Sequence, residues 1–290
     1  MKVLDLTVLA FDGPVVRAYL RSMRVAAIAP RKIIDLRFES SSFKYAAACR
    51  VLGRHRANDL WRWRRRRRVE GARFHTLCQL LSEALPATEP ICGSIDYHDY
   101  AHEVERVWVR GMRDPELVRA VQAQECRVLL FTGGGILGRE LLSVPGVRAL
   151  HVHPGVLPHV RGSDGLLWSL LLRGRPGASC FYMNSLIDGG DIIATCDFDR
   201  PRFDPSIRRF EPESIYIGLL RCYDPWLRAT LLSQVLTALQ RDQDLGRLPA
   251  EPQTVTVGRT FFTMHPRLRN RVIEALVRGE PLPQASGNRT

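Results

Sequence analysis

The run Arg127-Val128-Leu129-Leu130-Phe131-Thr132, closed by Gly133-Gly134-Gly135, constrains the fold of this chain most. A short, unbroken apolar stretch bounded by turn residues reads as a strand buried on both faces. Such strands belong to parallel sheets covered by helices. The N-terminus carries a matching signal. Leu4 to Leu9 is an apolar run of β-formers that ends at Asp12-Gly13-Pro14. Pro14 suits the first turn of a helix over Val15 to Met23, and Lys32 to Phe38 reads as a second strand. A β-α-β opening again predicts a parallel sheet.

The same reasoning extends along the chain. Helices are expected over Phe43 to Leu52 and Phe74 to Leu85, with a loop over Pro86 to Gly93. Val107 to Val109 reads as a short strand. Asp114 caps a helix that has Pro115 in its first position and runs to about Gln124. Short helices are expected at Gly138 to Leu142 and Leu166 to Leu172. Strands are expected at Val147 to Val152, Ala178 to Met183 and Asp191 to Cys196. Pro201 to Pro212 has linker composition. Glu213 to Arg241 has the periodicity of one long helix, bent near Pro225. Phe261 to Pro266 reads as a strand or turn packing an apolar patch, with His265 structural, and Leu282 to Thr290 as a tail.

Composition narrows the function classes. With 45% hydrophobic and 25% charged residues, the 290-residue chain reads as soluble and globular, able to bury a sizeable core. No apolar stretch approaches the ~18 residues of a membrane span, and Asp5 and Asp12 interrupt any signal-like run. A cytoplasmic location is expected. The formal charge of +12, nearly all from arginine, favours anionic partners. The seven cysteines are widely spaced without a CxxC pair, so free thiols are expected rather than a disulfide framework or a zinc knuckle.

Chemistry concentrates between Leu150 and Thr195. His151 and His153 are two apart, so on a strand they share a face. His153 stands where Pro154 ends the run, and ligands bind outside the carboxyl ends of strands in open α/β sheets. Further on, Asp188-Gly189-Gly190-Asp191 forms a glycine-rich loop. A carboxylate on such a loop can hold a histidine's protonation state or position a water.

These residues resemble the folate-dependent formyltransferases. That superfamily's pattern is Asn-x-His-Pro-x-x-Leu-Pro, then Arg-Gly, then roughly thirty residues later Asp-x-Gly-x-Ile. Here it stands as His151-Val152-His153-Pro154-Gly155-Val156-Leu157-Pro158, then Arg161-Gly162, then Asp188-Gly189-Gly190-Asp191-Ile192. Phe131 to Leu137 resembles the strand and loop that hold the folate ring. The likeness covers about residues 105 to 195. It implies 10-formyltetrahydrofolate as cofactor, and Gly134, Gly135, Ile136, Leu137, Ile187 and Asp188 as its binding residues. It also implies His153 and Asp188 as catalytic. His151 stands where the family has asparagine, and as a third catalytic residue it would donate a ring N–H to the formyl oxygen as that oxygen gains charge. Such a donor can be worth ~3 kcal/mol of barrier.

The resemblance implies transfer of a formyl group to an amine of a small molecule, such as an amino sugar or amino acid derivative, phosphorylated or otherwise anionic. The alternatives are a formyltetrahydrofolate hydrolase, or a diverged folate-binding member with lost or altered one-carbon transfer. Neither nucleic acid nor membrane is an expected partner; oligomerisation stays open. His151, His153 and His159 could suggest zinc, but the resemblance explains His153 without a metal, and none is expected. His98 and His102, at i,i+4 spacing, are assigned no site. The Trp61 to Arg68 cluster mixes aromatics with arginines as single-strand nucleic-acid surfaces do. A solvated run is the expected reading, with contact to a phosphate-bearing substrate the alternative. The fold expected is α/β, a Rossmann-like, mostly parallel sheet with flanking helices over residues 1–200. A mainly helical C-terminal extension over residues 201–290 follows.

Overall fold

The computed structural model describes residues 1–85, 91–239, 244–254 and 257–283. Its elements run β1 (Lys2–Ala10), α1 (Pro14–Val25), β2 (Ile28–Phe38), α2 (Phe43–Leu52), α3 (Arg54–Val69), α4 (Ala72–Ser82), β3 (Glu103–Val109), α5 (Pro115–Gln122), β4 (Val128–Phe131) and α6 (Arg139–Leu142). Then come β5 (Arg148–His153), β6 (Val160–Gly162), α7 (Gly165–Arg173), β7 (Gly177–Tyr182), β8 (Ile192–Asp197), α8 (Pro212–Gly218), α9 (Asp224–Thr237), β9 (Arg259–Phe261) and α10 (Pro266–Arg278). Seven strands form one sheet in the order β3-β2-β1-β4-β5-β7-β8. The first five are parallel, while β7 alone runs against them, pairing antiparallel with both β5 and β8. This is the Rossmann-like, mostly parallel α/β sheet that the apolar strand runs predict. A second small sheet pairs β6 with β9.

Alternation along the strands sorts the core into two faces. Leu6, Val8, Leu130, Leu150 and Val152 pack with Tyr19 and Leu20 of α1 and with Leu231, Leu232 and Leu236 of α9. Leu9, Ile34, Leu129, Phe131 and Ala149 pack under Leu117 and Val121 of α5 and Leu141 of α6. A third cluster joins α4, α7, α8 and α10 through Leu77, Leu81, Leu167, Leu170, Ile215 and Ile273. Helix α5 starts where its sequence says: the Asp114 carboxylate accepts from the N–H of Glu116 at 3.0 Å, and Pro115 needs no hydrogen bond of its own.

Several readings are refined or corrected. The Trp61 to Arg68 run lies in α3, with Trp63, Arg64, Arg65 and Arg67 exposed as a solvated run predicts, and Asn58 fastens that helix to the end of β2 by donating to the Phe38 carbonyl. The expected long helix is two helices separated by a π turn, Leu219–Tyr223, with Pro225 at the start of the second. The π turn widens the helix by one residue per turn; nothing in the apolar spacing announces it. Helix α10 was not foreseen, although His265 is structural as expected, capping α10 at the N–H of Arg267. The cysteines are not all free thiols: Cys78 and Cys222 are disulfide-bonded across 144 residues of sequence. His98 lies in a single 3₁₀ turn, Tyr97–Asp99, which does not extend to His102. Parts of three expectations, at 86–90, 240–241 and 284–290, lie outside the described residues. Among the described residues no helix is long and apolar enough to cross a membrane.

Candidate active site

His151 and His153 lie on β5, on the face that carries Ala149, and both are buried. Their surroundings differ. The ring of His151 sits between Phe131 and Phe181, at centroid distances of 5.3 and 5.9 Å. Its Nδ1 is 2.9 Å from the carbonyl of Phe131. A carbonyl only accepts, so this nitrogen carries the hydrogen and Nε2 is left with a lone pair. Burial, the largest influence, pushes the His151 pKa down to about 4 against the pull of the Phe131 carbonyl. Neutral His151 therefore has its single N–H already committed. An oxyanion-donor role would need a second proton that burial disfavours.

His153 is oriented the other way. Its Nε2 donates to the Val160 carbonyl at 3.0 Å, which leaves Nδ1 as the acceptor nitrogen. Asp188 Oδ2 stands 3.4 Å from that Nδ1. Burial lowers the His153 pKa, and the Asp188 charge opposes the shift. Two acceptors face each other across this gap, an arrangement that receives and shares one proton.

The position of Asp188 is a tertiary result. The β7–β8 connection leaves the sheet beside Leu150, since Leu150 pairs with Tyr182. The loop then folds back along the sheet to reach His153. An Asx turn, Leu186 N–H to the Asn184 side chain at 2.9 Å, starts that reversal. Gly190 is required, because a Cβ there would lie 1.7 Å from the Tyr182 carbonyl. Asp188 adopts φ +47°. Its carboxylate accepts from the N–H of Gly162 at 2.8 Å. Gln253 clamps the loop from the C-terminal segment by donating to the carbonyls of Asp188 and Gly190 at 2.8 and 2.7 Å.

Three supporting residues escaped the sequence reading. Buried Ser179 on β7 accepts from Leu157 N–H at 2.8 Å and donates to the Gly155 carbonyl at 2.7 Å, fixing the loop after His153. That loop contains a cis peptide at Leu157–Pro158. Arg228 of α9 reaches the Val152 carbonyl at 3.5 Å from the opposite face and pairs with buried Asp224 at 2.7 Å. Its charge helps keep both histidines neutral. The Asp224–Arg228 spacing of i,i+4 was the one available signal.

The expected cofactor residues flank the histidines without forming one wall. β4 runs beside β5, with Leu130 opposite Leu150, so Gly133 to Gly135 lie alongside the end of β5. A Cβ on Gly134 would meet nothing within 4 Å, so the backbone there is open to a ligand. Ile136 and Ile187 are exposed, at 62% and 48%. Leu137 is instead buried in the core with Phe131 and Leu141 and can offer a ligand only its backbone. His159 is exposed, apart from buried His151 and His153.

Next to Gly133 and Gly134, a cleft of about 350 Å³ opens at the carboxyl ends of β1, β2 and β4. Arg17, Arg62, Arg65, Arg66 and Arg221 line it against one acid, Asp12. Asp12 holds Arg17 at 3.1 Å and Arg62 at 3.0 Å. Burial alone would raise the Asp12 pKa, but Arg62 and Arg17 hold it below the usual carboxylate value.

Comparison with known proteins agrees with the motif. Residues 96–199 match the family model described as formyl transferase. A methionyl-tRNA formyltransferase of Chloroflexus aurantiacus is 29% identical over 157 residues, 53% of this chain and 45% of that protein. One from Syntrophus aciditrophicus is 29% identical over 85 residues, 29% of this chain and 27% of that protein. The chain thus spans less than half the length of these curated relatives. A solved sugar N-formyltransferase from Shewanella aligns over 99% of this chain and 90% of its own at 16% identity and a TM-score of 0.45. Residues 96–199 of this chain are thus similar in sequence to the formyl transferase family.

Proposed function

We propose that the protein is an enzyme that transfers a formyl group from 10-formyltetrahydrofolate to an amine on a small, anionic acceptor. The observation that carries this reading is the meeting of His153 Nδ1 and Asp188 Oδ2 at 3.4 Å, inside the segment that matches the family. Open backbone at Gly134 and exposed Ile136 and Ile187 beside that pair fit a flat, partly apolar cofactor. Gly134, Gly135, Ile136, Ile187, Asp188 and the backbone of Leu137 would hold it. When bound, the cofactor supplies an activated formyl carbon.

The chain's own groups handle the proton. His153 keeps its Nε2 hydrogen on Val160 and accepts the amine's proton at Nδ1. Asp188 stabilises the cation that results and then helps pass the proton to the departing nitrogen. Positioned acid–base groups of this kind contribute about 10²–10⁴-fold. His151, with its N–H on Phe131, orients rather than donates at neutral pH.

The five arginines of the neighbouring cleft support a phosphate-bearing amine as acceptor. The test is folate release and a one-formyl mass gain on candidate phosphorylated and unphosphorylated amines. His153→Ala and Asp188→Asn should each slow transfer by ~10²–10⁴-fold. Unchanged turnover in both would sink the assignment. Folate and formate release without an acceptor would point to a hydrolase.

A further inference from the structure

We propose that Cys78, Cys92 and Cys222 form a binding site for a thiophilic d¹⁰ metal ion, zinc or copper(I), apart from the His153–Asp188 pair. The three sulfurs converge from α4, from the chain before β3 and from the π turn, and all lie within 4.8 Å of one another. Cys78 and Cys222 are buried, and Cys92 is partly exposed. A disulfide between Cys78 and Cys222, whose Cα atoms are 5.5 Å apart, uses two sulfurs and leaves the third lying against it. A metal uses all three.

Soft thiolates select zinc and copper(I) over hard cations. Zinc takes four tetrahedral ligands. The partial exposure of Cys92 leaves a fourth position for water or for Glu70, whose carboxylate already accepts from Gly93 N–H at 3.2 Å. Arg17 and Arg221, which pair with Glu70, would offset the thiolate charge. The site forms from the reduced state. A dithiol, which becomes a disulfide, or a phosphine, which becomes its oxide with oxygen from water, gives two electrons to the Cys78–Cys222 bond, and two protons complete the two thiols. Three thiol protons then pass to solvent as three metal–sulfur bonds form.

Occupancy would tie α4, residues 91–93 and the π turn together beside the arginine cleft, because Glu70 also pairs with Arg17 and Arg221. The inference does not depend on the proposed formyl transfer.

The test uses the full chain, reduced with a phosphine under anaerobic conditions. Zinc and copper(I) are added in separate arms, and bound metal is measured after desalting. Wild type and a Cys49→Ser control should each hold about one equivalent, and Cys92→Ser should bind more than about tenfold more weakly. Cobalt(II) added instead should show thiolate charge-transfer absorption that Cys92→Ser loses while circular dichroism is unchanged. Metal retention by Cys92→Ser and Cys222→Ser equal to that of wild type overturns the site. So does a wild type that takes up no metal, whether all seven cysteines titrate as thiols or only the five outside the disulfide do.

Discussion

His151 and His153 are two residues apart on one strand, yet their neighbours set opposite hydrogen positions. Phe131 fixes the hydrogen of His151 on Nδ1, and Val160 fixes that of His153 on Nε2. The lowered pKa of His151 makes a stability prediction. A histidine whose folded pKa lies below its unfolded value of 6.5 stabilises fully above that value. The contribution is lost as pH falls from 6.5 toward 4, because the unfolded chain binds the proton first. The loss should reach up to about 3 kcal/mol. His151→Asn, which restores the family's amide, should flatten the thermal-unfolding midpoint over that window while keeping transfer activity. A midpoint that still falls as steeply would assign the effect to other groups. Ser179→Ala strands the buried N–H of Leu157. It should cost ~1–3 kcal/mol in urea unfolding and should slow transfer by moving the loop after His153.

Among the elements, α3 departs furthest from its sequence reading. A run of five arginines suggests repulsion and solvation. The helix does expose Arg64, Arg65 and Arg67, but it turns Arg66 and the preceding Arg62 toward Asp12 and Asp35, acids on other segments that local spacing does not reveal. Asp12 has a depressed pKa, so its stabilising contribution is present above the ordinary carboxylate value and is lost as pH falls through the lower folded value. Asp12→Asn should therefore raise amide exchange in α3 at neutral pH and make that exchange less acid-sensitive. Arg65, exposed on the cleft side of α3, should affect the acceptor alone: Arg65→Ala should raise KM for a phosphorylated amine with kcat unchanged. An equal loss of kcat and kcat/KM would place Arg65 in the reaction rather than in acceptor binding.

Across the whole molecule, the C-terminal part supports the site from two directions. Helix α9 brings the Asp224–Arg228 pair against β5, and Gln253 clamps the Asp188 loop. Burial raises the Asp224 pKa, and Arg228 draws it back. Removing one partner of a buried pair leaves the other charge uncompensated, so Asp224→Ala should cost about 3–5 kcal/mol. Denaturant unfolding measures this. A cost below about 1 kcal/mol would show that Arg228 finds water or another partner.

The sequence by itself determined the mostly parallel sheet and pointed to the candidate site. Apolar runs closed by glycine and proline specify β1, β4 and β5, because strand periodicity and turn residues are local signals. The ordered stretch from His151 to Asp191 names the histidines and the aspartate, because strand periodicity and glycine-loop chemistry are local. Tertiary structure alone decided how those residues work. Which ring nitrogen of each histidine holds the hydrogen depends on carbonyls of other segments. The reach of Asp188 depends on a loop folded back over the sheet and held by Gln253. The docking of α3 and the meeting of Cys78, Cys92 and Cys222 join residues far apart in the chain. Hydrogen bonds, ion pairs and sulfur contacts act over a few ångströms of space, and spacing along a chain does not encode such distances once the partners lie on different elements.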